Sequence, residues 1–248
     1  MLTRSRLTAA GCAIAGVLAL TSTASAGPIV VEVQDFGTNL GAAQTAIGNL
    51  TAGKQSVTED FEEFTSGQLI NGGLATDVGI FKKGAGSDGT GVCDAKDADC
   101  SSPGILNAAG SPFGGRQNTT LGGDNWLDSN DYTDMIWDVD VAGLSAFHTL
   151  AFLATDIGDV GGTLTVAFEN GANASVNLFD QSNGEINLIT ATFDPKVVSA
   201  TVTFSNTAKN DGFGIDDATA IPIPATFGLL GLGLIGLGAV GSRRRIRR

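Results

Sequence analysis

The 248-residue sequence predicts an all-β protein. A β-sandwich spans residues 27–220, preceded by a signal peptide over 1–26 and followed by a sorting segment over 221–248 with one transmembrane helix. Three observations carry this reading. Short alternating or β-branched runs recur about every ten residues between Gly, Asn and Asp turns, the rhythm of a sandwich. Glycine is abundant and phenylalanine dominates the aromatics, whereas helix-forming patterns are scarce. Both ends carry an apolar stretch flanked by arginines.

In chain order, Arg4 and Arg6 precede an apolar stretch over Leu7–Leu20, and Ala24-Ser25-Ala26 supplies the small-x-small pattern of a cleavage site. The expected cut falls between Ala26 and Gly27. Cys12 belongs to the discarded segment, because Ala9 stands where a lipoprotein signal needs Leu. The body opens with the run Ile29–Val33, followed by an Ala-rich stretch over Leu40–Leu50 that predicts a short surface helix. Further strand runs are Met135–Val141, Thr149–Leu153, Thr163–Phe168, Ala174–Phe179, Glu185–Phe193 and Val197–Phe204. Gly84–Gly123 differs, being rich in Gly, Ser, Asp and Asn with little periodicity, and a loop of that length is functional or disordered. It holds Cys93 and Cys100, which in an oxidising compartment are expected to close a small disulfide loop.

The tail begins Ile221-Pro222-Ile223-Pro224, continues uncharged over Ala225–Gly241 and ends on Arg243, Arg244, Arg245, Arg247 and Arg248. About 17 apolar residues in a helix rise about 25 Å, enough for a bilayer core. The arginines hold the cytoplasmic side, so the body lies outside the cytoplasm. The prolines Pro222 and Pro224, the Gly/Leu-rich span Phe227–Gly238 and the closing arginines together resemble the PEP-CTERM sorting domain of Gram-negative bacteria. Ile223 stands where the family name implies Glu, so the tail is similar to the variant with an apolar residue between the prolines. The resemblance covers the last 28 residues and implies inner-membrane anchoring followed by transfer to the cell surface or extracellular matrix. It further implies an exosortase-type membrane protease and exopolysaccharide as partners. An ordinary single-span tail anchor shares the same physics.

Removing the leader and tail takes seven of the 14 basic residues and none of the 26 acidic ones, leaving a net charge of about −19 on the body. Such a surface does not bind nucleic acid, which needs cationic side chains to displace counterions. It suits solvation, or cation binding.

Acidic residues gather near both ends of the body. Glu59-Asp60-Phe61-Glu62-Glu63 lies near its start and Gly214-Ile215-Asp216-Asp217 at its end. An opening DFE strand and a closing GIDD strand look similar to jelly-roll modules of the carbohydrate-binding, galactose-binding-like kind. That resemblance implies a jelly-roll-like sandwich whose first and last strands are neighbours and share a structural calcium. Asp60, Glu62, Asp216 and Asp217 are then the expected Ca2+ ligands, since Ca2+ takes six to eight oxygens from carboxylates and carbonyls. The plainer alternative is that these acids face solvent at strand ends.

The run Asp124–Asp134 places Asp128, Asp131 and Asp134 three apart but lacks the Gly and Glu of an EF-hand. Trp126 and Tyr132, with Asp128 and Asp131, are the expected sugar-contacting residues, because an exposed aromatic beside carboxylates suits a pyranose face. Trp137 falls on an alternating strand and is expected in the core. Catalysis is not expected. His148, the sole histidine, lies on an apolar strand, no nucleophile elbow occurs, and aromatic subsites are few. The body is therefore expected to be a calcium-stabilised adhesion or exopolysaccharide-binding module, the alternatives being a matrix protein without specific ligand and a secreted glycan hydrolase.

Overall fold

The computed structural model describes residues 29–86, 102–108, 114–130, 132–157, 162–169, 173–177, 184–206 and 212–222. The signal peptide with Ala26 and Gly27, the cysteines Cys93 and Cys100, Asp131, and the tail from Ile223, including Pro224, Arg243, Arg244 and Arg245, lie outside the described residues. Among the described residues no helix is long and apolar enough to cross a membrane.

Chain order is β1 (Ile29–Asp35), α1 (Leu40–Thr51), β2 (Val57–Glu59), β3 (Leu74–Thr76), β4 (Gly79–Lys83), β5 (Gly104–Asn107), β6 (Asn125–Asp128) and β7 (Asp134–Val139). It continues with β8 (Phe147–Thr155), β9 (Thr163–Phe168), β10 (Asn173–Asn177), β11 (Ile186–Val197), β12 (Ala200–Ser205) and β13 (Gly214–Ile221). The strands form two antiparallel sheets, as expected for an all-β sandwich. One sheet runs β1-β11-β8-β13-β6-β5, with β2 also paired to β13, and the other runs β10-β9-β12-β7-β4-β3.

Alternation explains most of the second sheet. In β7 and β12 every second residue is buried, so Met135, Trp137, Val139, Val202 and Phe204 face inward while the intervening Asp, Thr, Ser205 and Ile136 are half-buried on the other face. Trp137 is fully buried, as its alternating position predicts. It stacks on Phe81 at 5.1 Å between ring centroids and meets Phe152 edge-on at 6.2 Å. Phe152 in turn meets Phe204 at 5.5 Å, so one aromatic chain ties both sheets together. The indole N–H donates to the Val78 carbonyl at 3.0 Å. Gly79 has φ +126°, and a Cβ there would lie 2.1 Å from the Asp138 carbonyl oxygen of β7, so only glycine fits this strand start.

The first sheet is covered on both faces at its centre. β8 reads Phe-His-Thr-Leu-Ala-Phe-Leu-Ala-Thr and is buried almost throughout, because α1 lies across its outer face. Ala43 and Ile47 of α1 pack on Ala151, Leu153, Ile186 and Leu188, while Leu150, Phe152 and Ala154 point into the main core. The predicted surface helix thus carries a narrow apolar stripe and a solvated back. Asn39 caps it by accepting the Ala42 N–H at 3.1 Å. Gly48 stands on the exposed side, and a Cβ there meets nothing within 4 Å. Gly48→Ala is therefore expected to stabilise the chain by about 0.5–1 kcal/mol through helix propensity alone. A rise of the urea midpoint at unchanged slope would show it, and a fall would mean that a side chain at this position is not accommodated.

Candidate functional site

The last strand, β13, changes partners midway, whereas the first strand, β1, pairs with β11 at the sheet edge, so the expected neighbouring of first and last strands is not observed. Gly214 and Ile215 pair with Asp128 and Leu127 of β6, and Ala218, Thr219 and Ala220 pair with Glu59, Thr58 and Val57 of β2. Between the two pairings β13 bulges, with its register against β8 shifting between Asp216 and Thr219. Asp217 sits in the bulge at φ +51°, a left-handed backbone that Asp tolerates better than most residues. The bulge turns two successive carboxylates toward the gap between β6 and β2. Sequence reasoning expected Asp60 and Glu62 beside Asp216 and Asp217, and the β2–β13 pairing brings these segments together.

Each carboxylate finds hydrogen-bond donors there. Glu59 accepts the Phe61 N–H at 2.7 Å, and Asp60 accepts the Glu62 N–H at 3.2 Å, which folds the chain after β2 around Phe61 at φ +58°. Glu62 Oε1 then accepts the N–H groups of Asp124 and Asn125 at 2.8 and 2.9 Å and the Asn118 amide at 2.9 Å, fixing the start of β6. Asp216 Oδ2 accepts the N–H groups of Thr119 and Thr120 at 2.6 and 3.0 Å, and Oδ1 accepts the Asp217 N–H at 2.8 Å. The hydroxyls of Thr119 and Thr120 donate to Asp217 at 3.1 and 2.9 Å.

The charge balance remains unfavourable despite these bonds. Burial, first, and then the neighbouring Asp217 push the Asp216 carboxyl well above the usual range, against the lowering effect of its amide donors. Burial likewise raises Asp217, with Asp60 and Glu62 adding repulsion against the Thr119 and Thr120 hydroxyls. Glu59, 3% exposed, is pushed up to about 7, again chiefly by burial. Among the described residues no three His, Cys, Asp or Glu side chains close on one point as a ready-made metal cage. The oxygens on offer to a hard cation are instead mixed, carboxylate from Asp60 and Asp217 together with threonine hydroxyls, and water would complete any shell.

A buried ion triad holds the segment that carries Thr119 and Thr120. Arg116 Nη1 donates to Asp128 Oδ1 at 3.1 Å, and Arg116 Nε lies 3.6 Å from Asp156 Oδ2, all three side chains being almost wholly buried. Asp128 also accepts the Trp126 indole N–H at 3.0 Å and the Asn130 N–H at 2.8 Å, and Asp156 accepts the Gly184 N–H at 2.7 Å.

This network corrects the expected sugar-contacting set. Trp126 is 1% exposed and Tyr132 4%, so neither aromatic offers a face to a ligand. Asp128 serves as an internal acceptor for Arg116 and Trp126 rather than as a solvent-facing carboxylate. The Tyr132 hydroxyl donates to the Gly86 carbonyl at 2.5 Å, and Lys83 Nζ stands 4.2 Å over its ring. His148 Nδ1 bonds the Ile221 carbonyl at 2.9 Å, tying β8 to the end of β13. Sequence reasoning did not single out Thr119, Thr120 or Arg116. The Thr-Thr pair carries no motif, and the partners of Arg116 are 12 and 40 residues away in sequence.

No protein-family model matches the chain, and no curated protein does. Among solved structures, it is similar to the enzymatically active domain of tailspike protein 4 of bacteriophage CBA120, at 12% identity and a TM-score of 0.31, over 48% of this chain and 18% of that one. It is also similar to the K2 cleaved adhesin domain of Lys-gingipain, at 13% identity and a TM-score of 0.39, over 68% of this chain and 98% of that one.

Proposed function

We propose that the chain is an exported, non-enzymatic adhesion module that is stabilised by Ca2+ and holds exopolysaccharide at the cell surface or in the extracellular matrix. In this reading an exosortase-type protease acts on the sorting tail, which anchors the protein in the inner membrane beforehand. The observation that carries the proposal is the seam between β2 and β13. There buried Asp216 adjoins half-buried Asp217, which in turn feels Asp60 and Glu62, a concentration of like charge that a divalent cation relieves. The acidic body and the PEP-CTERM-like tail agree with life outside the cytoplasm.

Thermal unfolding of the full chain in detergent tests this directly. Millimolar Ca2+ is expected to raise the midpoint over that in chelator, a ligand at a hundredfold its Kd contributing about 2.7 kcal/mol. Asp217→Asn is expected to lose most of that rise. Coincident midpoints with calcium and with chelator would sink the cation reading.

A further inference from the structure

We infer that the cleft between α1 and the β2–β13 seam binds a single hydroxyl-rich sugar ring, neutral or amino-bearing, and turns away uronic acids. The inference rests on the polysaccharide-binding half of the proposed function and not on its calcium half.

The cleft has a volume of about 230 Å3 and runs from Gln44, Gly48 and Thr51 on the helix to Thr58, Thr119, Leu121, Asp217 and Thr219 on the other side. That is below the roughly 300–1,000 Å3 of clefts for drug-sized ligands, so it takes one ring and not a length of chain. The Gln44 side-chain amide donates to the Thr119 carbonyl at 2.6 Å and braces one wall against the other.

The hydrogen-bonding sense of the walls selects the ligand. Thr51 directs its hydroxyl proton to the helix carbonyls of Ile47 and Gly48. Thr219 donates to the Asp217 carbonyl at 2.9 Å, so in its 2.9 Å contact with Thr58 it is Thr58 that donates. Thr119 donates to the carboxylates of Asp216 and Asp217. The protons of these four hydroxyls are thus committed within the protein, and what they offer the cleft is oxygen lone pairs, with the Asp217 carboxylate among them. An acceptor-lined wall of this kind wants a ligand with several donors, which the hydroxyls of a sugar ring supply, and an ammonium substituent adds another. With no cation at the seam, a uronate would instead bring a further anion toward Asp217, which already lies near Asp60 and Glu62. Leu121 completes the site. It is 87% exposed at the cleft rim, an apolar surface against which the C–H face of a ring can rest.

The test is binding of the full chain in detergent micelles to immobilised neutral, amino-bearing and uronic-acid oligosaccharides, with calcium and with chelator. Neutral or amino-bearing oligosaccharides are expected to bind, and in chelator uronic ones at least tenfold more weakly. Gly48→Gln sends a side chain from a position where a Cβ meets nothing within 4 Å, so it fills the cleft without disturbing the core. It is expected to weaken binding tenfold or more at an unchanged or higher thermal midpoint. Failure of every oligosaccharide to bind, preference for uronic acids in chelator, or full binding by Gly48→Gln would each overturn the inference. Binding that Gly48→Gln abolishes, together with coincident midpoints in calcium and in chelator, keeps the cleft and discards calcium. A calcium-dependent midpoint with equal binding by the variant does the reverse.

Discussion

Arg116→Met is expected to destabilise the chain by about 3–5 kcal/mol, the loss that follows when one partner of a buried ion pair is removed. Met keeps much of the side-chain volume, so the loss does not come from a cavity. It comes from leaving Asp128 and Asp156, each at most 2% exposed, without the guanidinium between them. Equilibrium urea unfolding measures it as a fall in midpoint at constant slope. Adding Asp128→Asn and Asp156→Asn to Arg116→Met removes both stranded charges and is expected to restore a large part of the stability. A loss under about 1 kcal/mol would place the triad with exposed ion pairs, which contribute little. The effect extends to the seam, because Thr119 and Thr120 follow Arg116 by only three and four residues and reach Asp216 and Asp217 from the segment it anchors. The variant should therefore also lose part of any calcium-dependent rise in midpoint.

How far the fold was legible depended on strand length and on which faces are covered. Thr163–Phe168 is predicted and observed with the same bounds, because six alternating residues with one solvated face leave a clear period of two. The run Thr149–Leu153 is apolar on both faces, and what shows as a short segment in sequence is the centre of the nine-residue β8, buried between the main core and α1. The first half of the body was harder to read. β2 and β3 have three residues each and β5 and β6 four, too few for a period to stand out, and β5 lies inside the stretch Gly84–Gly123 that reads as loop. The seam was legible for a different reason. Acid-rich segments stand out in sequence, and the antiparallel pairing of Ala218 with Glu59 joins them, but Asp60–Glu62 form a turn after β2 and not the expected opening strand. Trp126 and Tyr132 misled because an aromatic among Asp and Asn suggests a wet surface. The indole instead needs a buried acceptor, and Asp128 two residues on supplies it.

In the presence of chelator the chain is expected to be more stable at pH 5 than at pH 8, the reverse of what paired carboxylates produce. A carboxyl whose folded-state pKa is raised binds its proton more tightly when folded, so its contribution is fully present below the unfolded pKa and is lost as pH climbs through the folded one. For Glu59 that window runs from 4.5 to about 7. At about 1.36 kcal/mol per pH unit, its full crossing corresponds to about 3 kcal/mol. Asp216 and Asp217 shift in the same direction for the same reason, burial of charge, and steepen the loss. Glu59→Gln keeps an acceptor for the Phe61 N–H while removing the ionisation, so it is expected to flatten much of the decline and to be more stable than the parent at pH 8. Calcium acts on the same imbalance from the other side. A cation at the seam favours the ionised carboxylates, and its binding releases the protons they hold. Saturating Ca2+ should thus restore stability at pH 8 and change little at pH 5. A chelated chain whose stability rises from pH 5 to pH 8 would mean that the amide and hydroxyl donors of Phe61, Thr119 and Thr120 already outweigh burial. In that case the bulge at Asp216 and Asp217 is complete without a metal, and the strained turn at Asp217 serves the β2–β13 pairing alone.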